Sequence, residues 1–535
     1  MSTYARSIVS IIEPSFKIGA TSQGKLLLDE LFIEDTESPE AKTTPNNPGN
    51  VRPTDFKTSS RVGHSVPMIA INTFIIQEED LVDFEIDMSD RIPKLMFTFI
   101  DTKCRFNISA PIDGDVVSVY IRPPDIDNQK PIRIDFIITR VLGEPSNRSY
   151  FIVGDVKIPK FYSETYKSYP ENTSFEHLGD VCEELGLGFA SNETATDDKM
   201  IRIIPAETYQ TFIEETVDSA YKDEESFFDW YLDPYYYLCL VNVNKQFSLE
   251  DTTEEINITD AQLTSSIATQ GDAEDSMSGA LILTNMNTMV GKNVFITHFA
   301  FENSAGKIWT SNGYKRYAQW LSIEDGEPIY DEAYAEALTT KGAEDKYILL
   351  KGRRSDGPPN YPKPLYQDEN RYKWMGKQNG LTFKGNVHDN FCFSQVLNHQ
   401  NLEEITKTTL EVELAGMNFY IYKYMRIPVT IYESGNPKNQ ELLKGRNQAL
   451  GEDNKNSDNQ KDSPIGKITP TKNPPSEEDG TPDQTDQVKN EFLSGYYVVT
   501  GIRFSYSPED SPSKLKMNLT LTRREWPIPA KNKDV

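Results

Sequence analysis

Cysteine is scarce in this chain. Four occur in 535 residues, Cys104, Cys182, Cys239 and Cys392. They lie far apart, with neither a CxxC pair nor a Cys/His cluster at zinc spacing, which argues against a disulfide framework and against structural zinc. Three of the four sit inside apolar runs and read as buried thiols. Histidine is almost as sparse: His64, His177, His298, His388 and His399 are scattered, and the nearest pair, His388 and His399, lacks metal-site spacing. Each therefore reads as a structural residue. No apolar run reaches the roughly 18 residues that a bilayer-spanning helix needs, so no integral membrane segment is expected. The opening, MSTYARSIVSIIEPSF, has one Arg and a broken apolar run. It lacks the charged start and apolar core of a signal peptide, and the expectation is a chain that stays in the cell that makes it.

Ready-made chemistry is also missing. The P-loop pattern, HExxH, GxSxG, the EF-hand loop and the dinucleotide fingerprint do not occur. No catalytic, cofactor-binding or metal-ligating residue is assigned, and no cofactor is expected. Carboxylates are so numerous that any fold brings some within reach of each other, so a glycosidase pair has no distinguishing signal. Glu183-Glu184 and Glu403-Glu404 read as solvated faces. The Asn172-Thr173-Ser174 triplet has no bearing without secretion. Basic residues are in deficit, 55 Lys and Arg against 82 Asp and Glu, for a net charge of -27. That balance repels nucleic acid unless basic groups gather on one face, and no basic stripe is visible.

What the chain does have is length and aromatics. A chain of 535 residues can form three or four packed units. Its 37% hydrophobic content and mean hydropathy of -0.56 suit a soluble protein with a sizeable core. The densest aromatic stretch runs from Tyr221 to Phe247, YKDEESFFDWYLDPYYYLCLVNVNKQF. Asp223 can cap a short helix with Phe227, Phe228, Tyr231 and Leu232 on one face, ended by Pro234. A buried strand is expected from Tyr235 to Val243. These aromatics read as core in preference to inter-subunit anchors.

Along the chain the pattern changes several times. Residues 1–66 read as a partly disordered, mobile arm, with a helix at Lys25–Phe32 and a polar tract from Glu37 to Asp55. Residues 67–165 read as a first small antiparallel barrel. Its strands are Met68–Ile76, Leu81–Ile86, Lys94–Asp101, Asp113–Arg122, Pro131–Val141 and Ser149–Ile158; Ile132, Ile134, Phe136 and Ile138 alternate as in a strand with one buried face. Residues 166–235 read as an α/β segment. There Thr173-Ser174-Phe175-Glu176 is a capping box, and Phe175, Leu178, Val181, Cys182 and Leu185 recur at helical spacing up to Gly186 and Gly188. A second capping box, Thr211 to Glu214, opens another helix, and the two helices are expected to cover one end of the barrel.

Residues 236–404 read as a strand-rich middle region with pieces at Gly279–Leu283, Val294–Phe301 and Tyr347–Lys351. A second barrel is expected from 405–432 and 491–527. It is marked by Leu410, Val412 and Leu414, then Ile421 and Tyr422, then Ile427, Val429 and Ile431, and it resumes at Gly495–Phe504 and Lys514–Thr522. A disordered polar insertion at 433–490 interrupts it, and 528–535 form a tail. The fold class is β-rich α+β: two similar small antiparallel β-barrel domains, an inserted α/β region, a mobile N-terminal arm and a disordered loop.

Five segments carry a family likeness. The first runs from Lys157-Ile158-Pro159-Lys160-Phe161-Tyr162 through Asn172-Thr173-Ser174-Phe175-Glu176-His177-Leu178 to Leu185-Gly186-Leu187-Gly188-Phe189-Ala190-Ser191-Asn192. The second is Ser226-Phe227-Phe228-Asp229-Trp230 with Asp233-Pro234-Tyr235-Tyr236-Tyr237. The third is Asn312-Gly313-Tyr314-Lys315-Arg316-Tyr317, and the fourth Arg426-Ile427-Pro428-Val429-Thr430-Ile431-Tyr432. The fifth is Ser494-Gly495-Tyr496-Tyr497-Val498-Val499-Thr500-Gly501-Ile502 with Leu519-Thr520-Leu521-Thr522-Arg523-Arg524-Glu525-Trp526-Pro527. In this order they resemble the central hub protein of contractile bacteriophage tail baseplates, related to the hub domains of type VI secretion spike proteins.

The resemblance implies a non-enzymatic virion protein with two similar barrels per subunit, so that a homotrimer forms a ring of six pseudo-equivalent barrels. Such a ring joins a sixfold tail tube to a threefold spike. The implied partners are itself, a spike protein, a tail tube or tube-initiator protein and baseplate wedge proteins, with DNA only in transit through the channel. The implied location is the tail baseplate of the virion, assembled in the host cytoplasm, with roles in virion assembly and genome ejection. The arm and the 433–490 insertion have no counterpart in the family, and no appended cell-wall-cleaving domain is expected. The alternatives are the hub of a contractile injection or secretion system, a cell-wall polysaccharide hydrolase, and a carbohydrate-binding receptor protein.

Overall fold

The structure, a computed structural model, describes residues 8–15, 66–72, 74–104, 106, 111–121, 132–144, 146–247, 281–284, 295–303, 315–324, 327–336, 338, 347–349, 366–374, 387–406, 408–417, 419, 421–433, 488–489, 493, 495–508 and 514–527. The expected helix at 25–32, the polar tract at 37–55, almost all of the 433–490 insertion and the 528–535 tail lie outside them.

Strands dominate and helices are few. In chain order the first strands are β1 (Val9–Ile12), β2 (Met68–Ile71), β3 (Phe74–Ile76), β4 (Leu81–Asp87), β5 (Lys94–Ile100), β6 (Val116–Ile121), β7 (Ile132–Glu144), β8 (Ser149–Val156) and β9 (Thr165–Asn172). Then follow β10 (Gly188–Ser191), β11 (Met200–Glu207), β12 (Phe228–Leu232), β13 (Tyr237–Asn242), β14 (Leu281–Thr284), β15 (Phe295–Asn303), β16 (Lys315–Glu324), β17 (Glu327–Glu336), β18 (Tyr347–Leu349) and β19 (Tyr366–Trp374). The last are β20 (Thr408–Ala415), β21 (Arg426–Glu433), β22 (Val488–Lys489), β23 (Gly495–Tyr506), β24 (Leu515–Thr522) and β25 (Glu525–Pro527). The α-helices among the described residues are α1 (Ser174–Leu185), α2 (Tyr209–Asp218), α3 (Val243–Phe247) and α4 (Phe391–Ile405).

Among the described residues, fourteen strands join one sheet, whose main path runs β15-β20-β24-β23-β4-β5-β8-β7-β6-β2-β3. Period-two patterning explains why these segments are strands. In β5, Leu95, Phe97 and Phe99 are buried between more exposed residues, and in β24 the same holds for Leu515, Met517, Leu519 and Leu521.

The same strand arrangement occurs twice in this sheet. The order β4-β5-β8-β7-β6 in the first set matches β15-β20-β24-β23-β21 in the second. In each set, the main strands taken along the chain stand first, second, fifth, fourth and third. The irregularities coincide as well. β4 shifts register against β5 between Leu81 and Asp83, and β15 against β20 between Ile296 and His298. β7 shifts against β8 between Ile138 and Arg140, and β23 against β24 between Val499 and Gly501. Aligning the pair Lys94–Asp155 with Thr409–Thr522 brings each bulge onto its counterpart.

The long strands β7 and β23 thus each turn from one neighbour to another across a bulge, a device that bends a sheet. The two sets meet where Phe84–Asp87 pairs antiparallel with Arg503–Tyr506. The separate closed barrels expected from sequence are not seen. Among the described residues the two sets form one continuous sheet, without a pairing that closes either of them.

The inserted region supplies a four-stranded sheet, β1-β10-β13-β12, and a two-stranded ribbon, β9 with β11. α1 begins as expected. The Thr173 hydroxyl accepts from Glu176 N–H while the Glu176 carboxylate accepts from Thr173 N–H, and Gly186 ends the helix at φ 72°. The N-cap of α2 is Thr208, three residues before the expected Thr211, because the Thr208 hydroxyl accepts from Thr211 N–H.

The expected helix through Phe227–Leu232 is instead strand β12, with all five residues Phe228 to Leu232 buried. Apolar residues on every side leave no polar helix face, and β13 supplies a ladder that pairs all five. Asp223 ends up in a turn, where its side chain accepts from Glu225 N–H and from the Ser226 hydroxyl. Tyr236, at φ 65°, closes the hairpin, so β13 starts at Tyr237 and gives way to α3 at Val243.

Within the expected arm, Val9–Ile12 is a strand that pairs antiparallel with β10 and buries Ile8. The three-stranded sheet of β16, β17 and β19 was not foreseen. A continuous core runs under the large sheet, α1 and α2. A second cluster fills the space between the four-stranded sheet and α4.

Candidate functional site

Three distant parts of the chain converge on one buried carboxylate. Asp229 sits in the middle of β12, between Phe228 and Trp230, and is only 5% exposed. Its Oδ1 accepts from Arg91 Nε at 3.0 Å, and its Oδ2 accepts from the Tyr424 hydroxyl. Arg91 comes from the turn between β4 and β5, lies over the Trp230 ring at 5.9 Å, and also reaches Asp218 at 3.8 Å. Its carbonyl accepts from Leu232 N–H, which ties the same turn to the end of β12. Beside Tyr424, Lys423 Nζ donates to the carbonyls of Ser89 and Asp90 at 2.9 and 3.2 Å.

Burial governs the titration of this cluster. It holds the Lys423 ammonium below the usual lysine value. It pushes the Tyr424 phenol well above the ordinary tyrosine value, with the Asp229 charge adding to the effect. Burial opposes the Arg91 charge, but Asp229 and Asp218 outweigh it and raise that group. The charges face a cleft of about 540 Å³, whose walls include Asp90, Lys94, Asp155, Tyr162, Glu214 and the α4 end at Leu402, Ile405 and Thr406. Lys94 pairs with Asp90 at 2.8 Å, as Arg91 does with Asp229. Each positive group in the cleft therefore already holds an acceptor. The arrangement acts as a latch between the two strand sets and the inserted region, because removing one partner leaves another charge buried.

A second polar network holds the end of α2. Its last carbonyls are capped by side chains from the segment that carries α4. His388 Nε2 and Ser394 Oγ reach Ser219 O at 2.9 and 3.0 Å, and Asn398 Nδ2 donates to Val217 O and Asp218 O at 3.2 and 2.9 Å. The Asn398 Oδ1 also accepts from Phe228 N–H at 2.9 Å, which binds β12 into the same network. Behind it, fully buried Arg202 donates through Nη2 to the hydroxyls of Ser174 and Ser219. Asp198 accepts from Ser174 N–H and Tyr221 N–H. Burial lowers the Arg202 group to about 10.

The residues singled out in sequence fall as follows. The aromatics Phe227, Phe228, Trp230, Tyr231, Tyr236 and Tyr237 are buried within the chain as core. His177 and His388 are buried, with Nε2 against the carbonyls of Met200 and Ser219. His399 lies 3.7 Å from Asp218, His298 is exposed, and His64 is outside the described residues. Cys182, Cys239 and Cys392 are buried, Cys104 is half-buried, and none of the four is in a disulfide among the described residues. Glu184 pairs with Lys167. Glu404 is buried and accepts from Gln400 at 3.2 Å, so the solvated-face reading fails for that residue. Sequence reasoning missed Asp229, Lys423, Tyr424 and Asn398. Their partners lie 138 to 334 positions away, and no local spacing announces them.

No protein-family model matches the chain, and no curated protein matches it by sequence. Several solved structures are similar in shape. A 43 kDa prophage tail protein from Shewanella oneidensis aligns with 9% identity and a TM-score of 0.42, over 86% of this chain and 98% of that one. A tail protein from Neisseria meningitidis aligns with 11% identity and a TM-score of 0.38, over 85% and 96%. The half-lidded PdpA-VgrG complex of Francisella aligns with 7% identity and a TM-score of 0.35, over 89% of this chain and 62% of that one.

Proposed function

We propose that the protein is the structural hub of a phage tail baseplate, a homotrimeric ring that joins a sixfold tail tube to a threefold spike. The observation that carries this reading is the internal repeat. Two strand sets of the same order, with bulges at matching places, give each chain two like units. Three such chains present six like units to a sixfold partner and three whole chains to a threefold one, and symmetric closure of this kind is the usual form of an oligomer. In the ring each set bends into one of two barrel-like units around the channel. The latch at Asp229 fixes the inserted region against both sets, which suits a part that transmits load and performs no turnover.

The net charge of -27 fits walls along which DNA passes without adsorbing. The spike docks below and the tube or its initiator above, with wedge proteins around the rim. Light scattering with negative-stain imaging tests the proposal. The expected result is a mass of three subunits in a ring with a central opening. A monomer, both alone and when mixed with the spike protein, overturns it.

A further inference from the structure

The two strand sets differ on the sheet face that points away from the core. In the first set Met96 stands opposite Val153, Thr98 opposite Phe151, which in turn faces Leu142, and Ile100 opposite Ser149. Met96, Ile100, Leu142, Phe151 and Val153 are therefore direct or diagonal neighbours across three adjacent strands, β5, β8 and β7. Leu95, Phe97, Phe99 and Ile152, which alternate with them, are buried on the core side. Leu142 is 47% and Ile100 39% exposed, while Met96, Phe151 and Val153 are half-buried.

The second set is an internal control for this face. Under the alignment of Lys94–Asp155 with Thr409–Thr522, Met96, Val153, Phe151 and Leu142 correspond to Glu411, Thr520, Asn518 and Arg503. The core-facing residues Leu95, Phe97 and Phe99 correspond to Leu410, Val412 and Leu414, so the inner face is apolar in both sets. The strand arrangement thus forms with a polar outer face, as a sheet solvated on one side does. The apolar outer face of the first set is not required by the fold, and a contiguous apolar patch with a charged rim marks an interaction surface.

The geometry points to an amphipathic helix of a partner protein as the occupant. Three strands about 4.8 Å apart make the patch about 10 Å wide, and Met96 to Ile100 at about 3.4 Å per residue makes it about 14 Å long. A helix is about 10–12 Å across, and two to three turns of about 5.4 Å match the length. Charge selects the helix further. On the β4 flank Asp83, opposite Thr98, is exposed and in no ion pair among the described residues, whereas Glu85 next to it on that face holds Arg503 at 3.3 Å. On the β7 flank Arg140, opposite Val153, is exposed and likewise in no ion pair among the described residues, whereas Glu144 accepts from Asn147 at 3.0 Å. The helix carries Lys or Arg on the side over Asp83, Asp or Glu on the side over Arg140, and an apolar stripe between them. The inference stands on strand pairing and exposure alone, and holds whether or not the chain forms a ring.

The test is fluorescence anisotropy of a labelled peptide stapled into about four helical turns, titrated with the full-length protein. The peptide has Leu at i, i+3, i+4 and i+7, Lys along one flank and an equal number of Glu along the other. A saturable rise is expected, weakened about tenfold or more by Leu142→Glu and by Ile100→Glu, and unchanged by Asn518→Glu at the corresponding place in the second set. These side chains lie on the outer face, so all three variants are expected to keep the wild-type melting temperature. Asp83→Lys with Arg140→Glu is expected to prefer a twin peptide with the two flanks exchanged. No binding, or binding that Leu142→Glu and Ile100→Glu both leave intact, overturns the docking face. Equal binding of the two peptides by every variant overturns the charge assignment. A particle mass that falls on Leu142→Glu overturns the partner helix in favour of a second copy of the chain, and binding to neutral lipid vesicles that Leu142→Glu abolishes overturns it in favour of a membrane.

Discussion

At the scale of residues, the strongest constraints are buried polar groups whose partners come from far along the chain. Tyr424 and Asp229 are 195 positions apart. Tyr424→Phe keeps the ring and removes the donor to a buried carboxylate, which costs about 1–3 kcal/mol; a lower urea midpoint with an unchanged slope is the expected result. His177 and His388 give a pH dependence. Burial, above all, holds both imidazoles below the usual histidine value of 6.5. The unfolded chain therefore binds more protons than the folded one once pH falls below about 6.5, and stability is present above that value and lost as pH falls through the lower folded values. Melting temperatures are expected to be flat above neutrality and to decline on acidification towards pH 5, with a shallower decline in His388→Gln. The capping box at Thr173 was legible because its partners are three residues apart. The grip of Asn398 on α2 was not, because a lone Asn carries no sign of a carbonyl 181 positions away.

Elements show where local pattern suffices and where it fails. α1 has a cap, a periodic apolar face and a glycine stop, and all three act over one or two turns. Thr173→Ala is expected to cost about 1 kcal/mol in a chemical melt, the usual size for a lost N-cap. β12 went the other way. Phe228, Tyr231 and Leu232 fit a helical face, but Trp230 and Asp229 between them are also buried, and periodicity alone does not separate a short buried strand from a helix. What decided it was the hairpin closed by Tyr236 and the pairing with β13. In β10 a Cβ at Gly188 would lie 2.4 Å from the Tyr237 ring, so that tyrosine packs directly over the backbone. Gly188→Ala is expected to lower the melting temperature, and to lower it by less in a Tyr237→Ala background than in the wild type, because the clash is then gone.

For the molecule as a whole, charge and repetition matter most. With a net charge of -27 the chain is expected to show no change in anisotropy with labelled duplex DNA at about 0.1 M salt, where a basic binder would respond. A clear rise would place a basic face on the protein and undercut the conduit reading. The strand sets were visible in outline from alternating residues such as Ile132, Ile134, Phe136 and Ile138, and Leu410, Val412 and Leu414. Their union into one sheet was not, since it rests on the pairing of Phe84–Asp87 with Arg503–Tyr506 across more than 400 positions.

The sequence by itself determined what depends on neighbours along the chain: the β-rich composition, the alternation that makes each strand one-sided, the caps of α1, the acidic balance, and the lack of any familiar catalytic pattern. Only the tertiary structure decided the strand order, the matching bulges, the strand identity of β12 and the latch around Asp229. Strand pairing and buried ion pairs are contacts between residues far apart in sequence, and their energy depends on which surfaces are brought together and desolvated, which no local window of residues encodes.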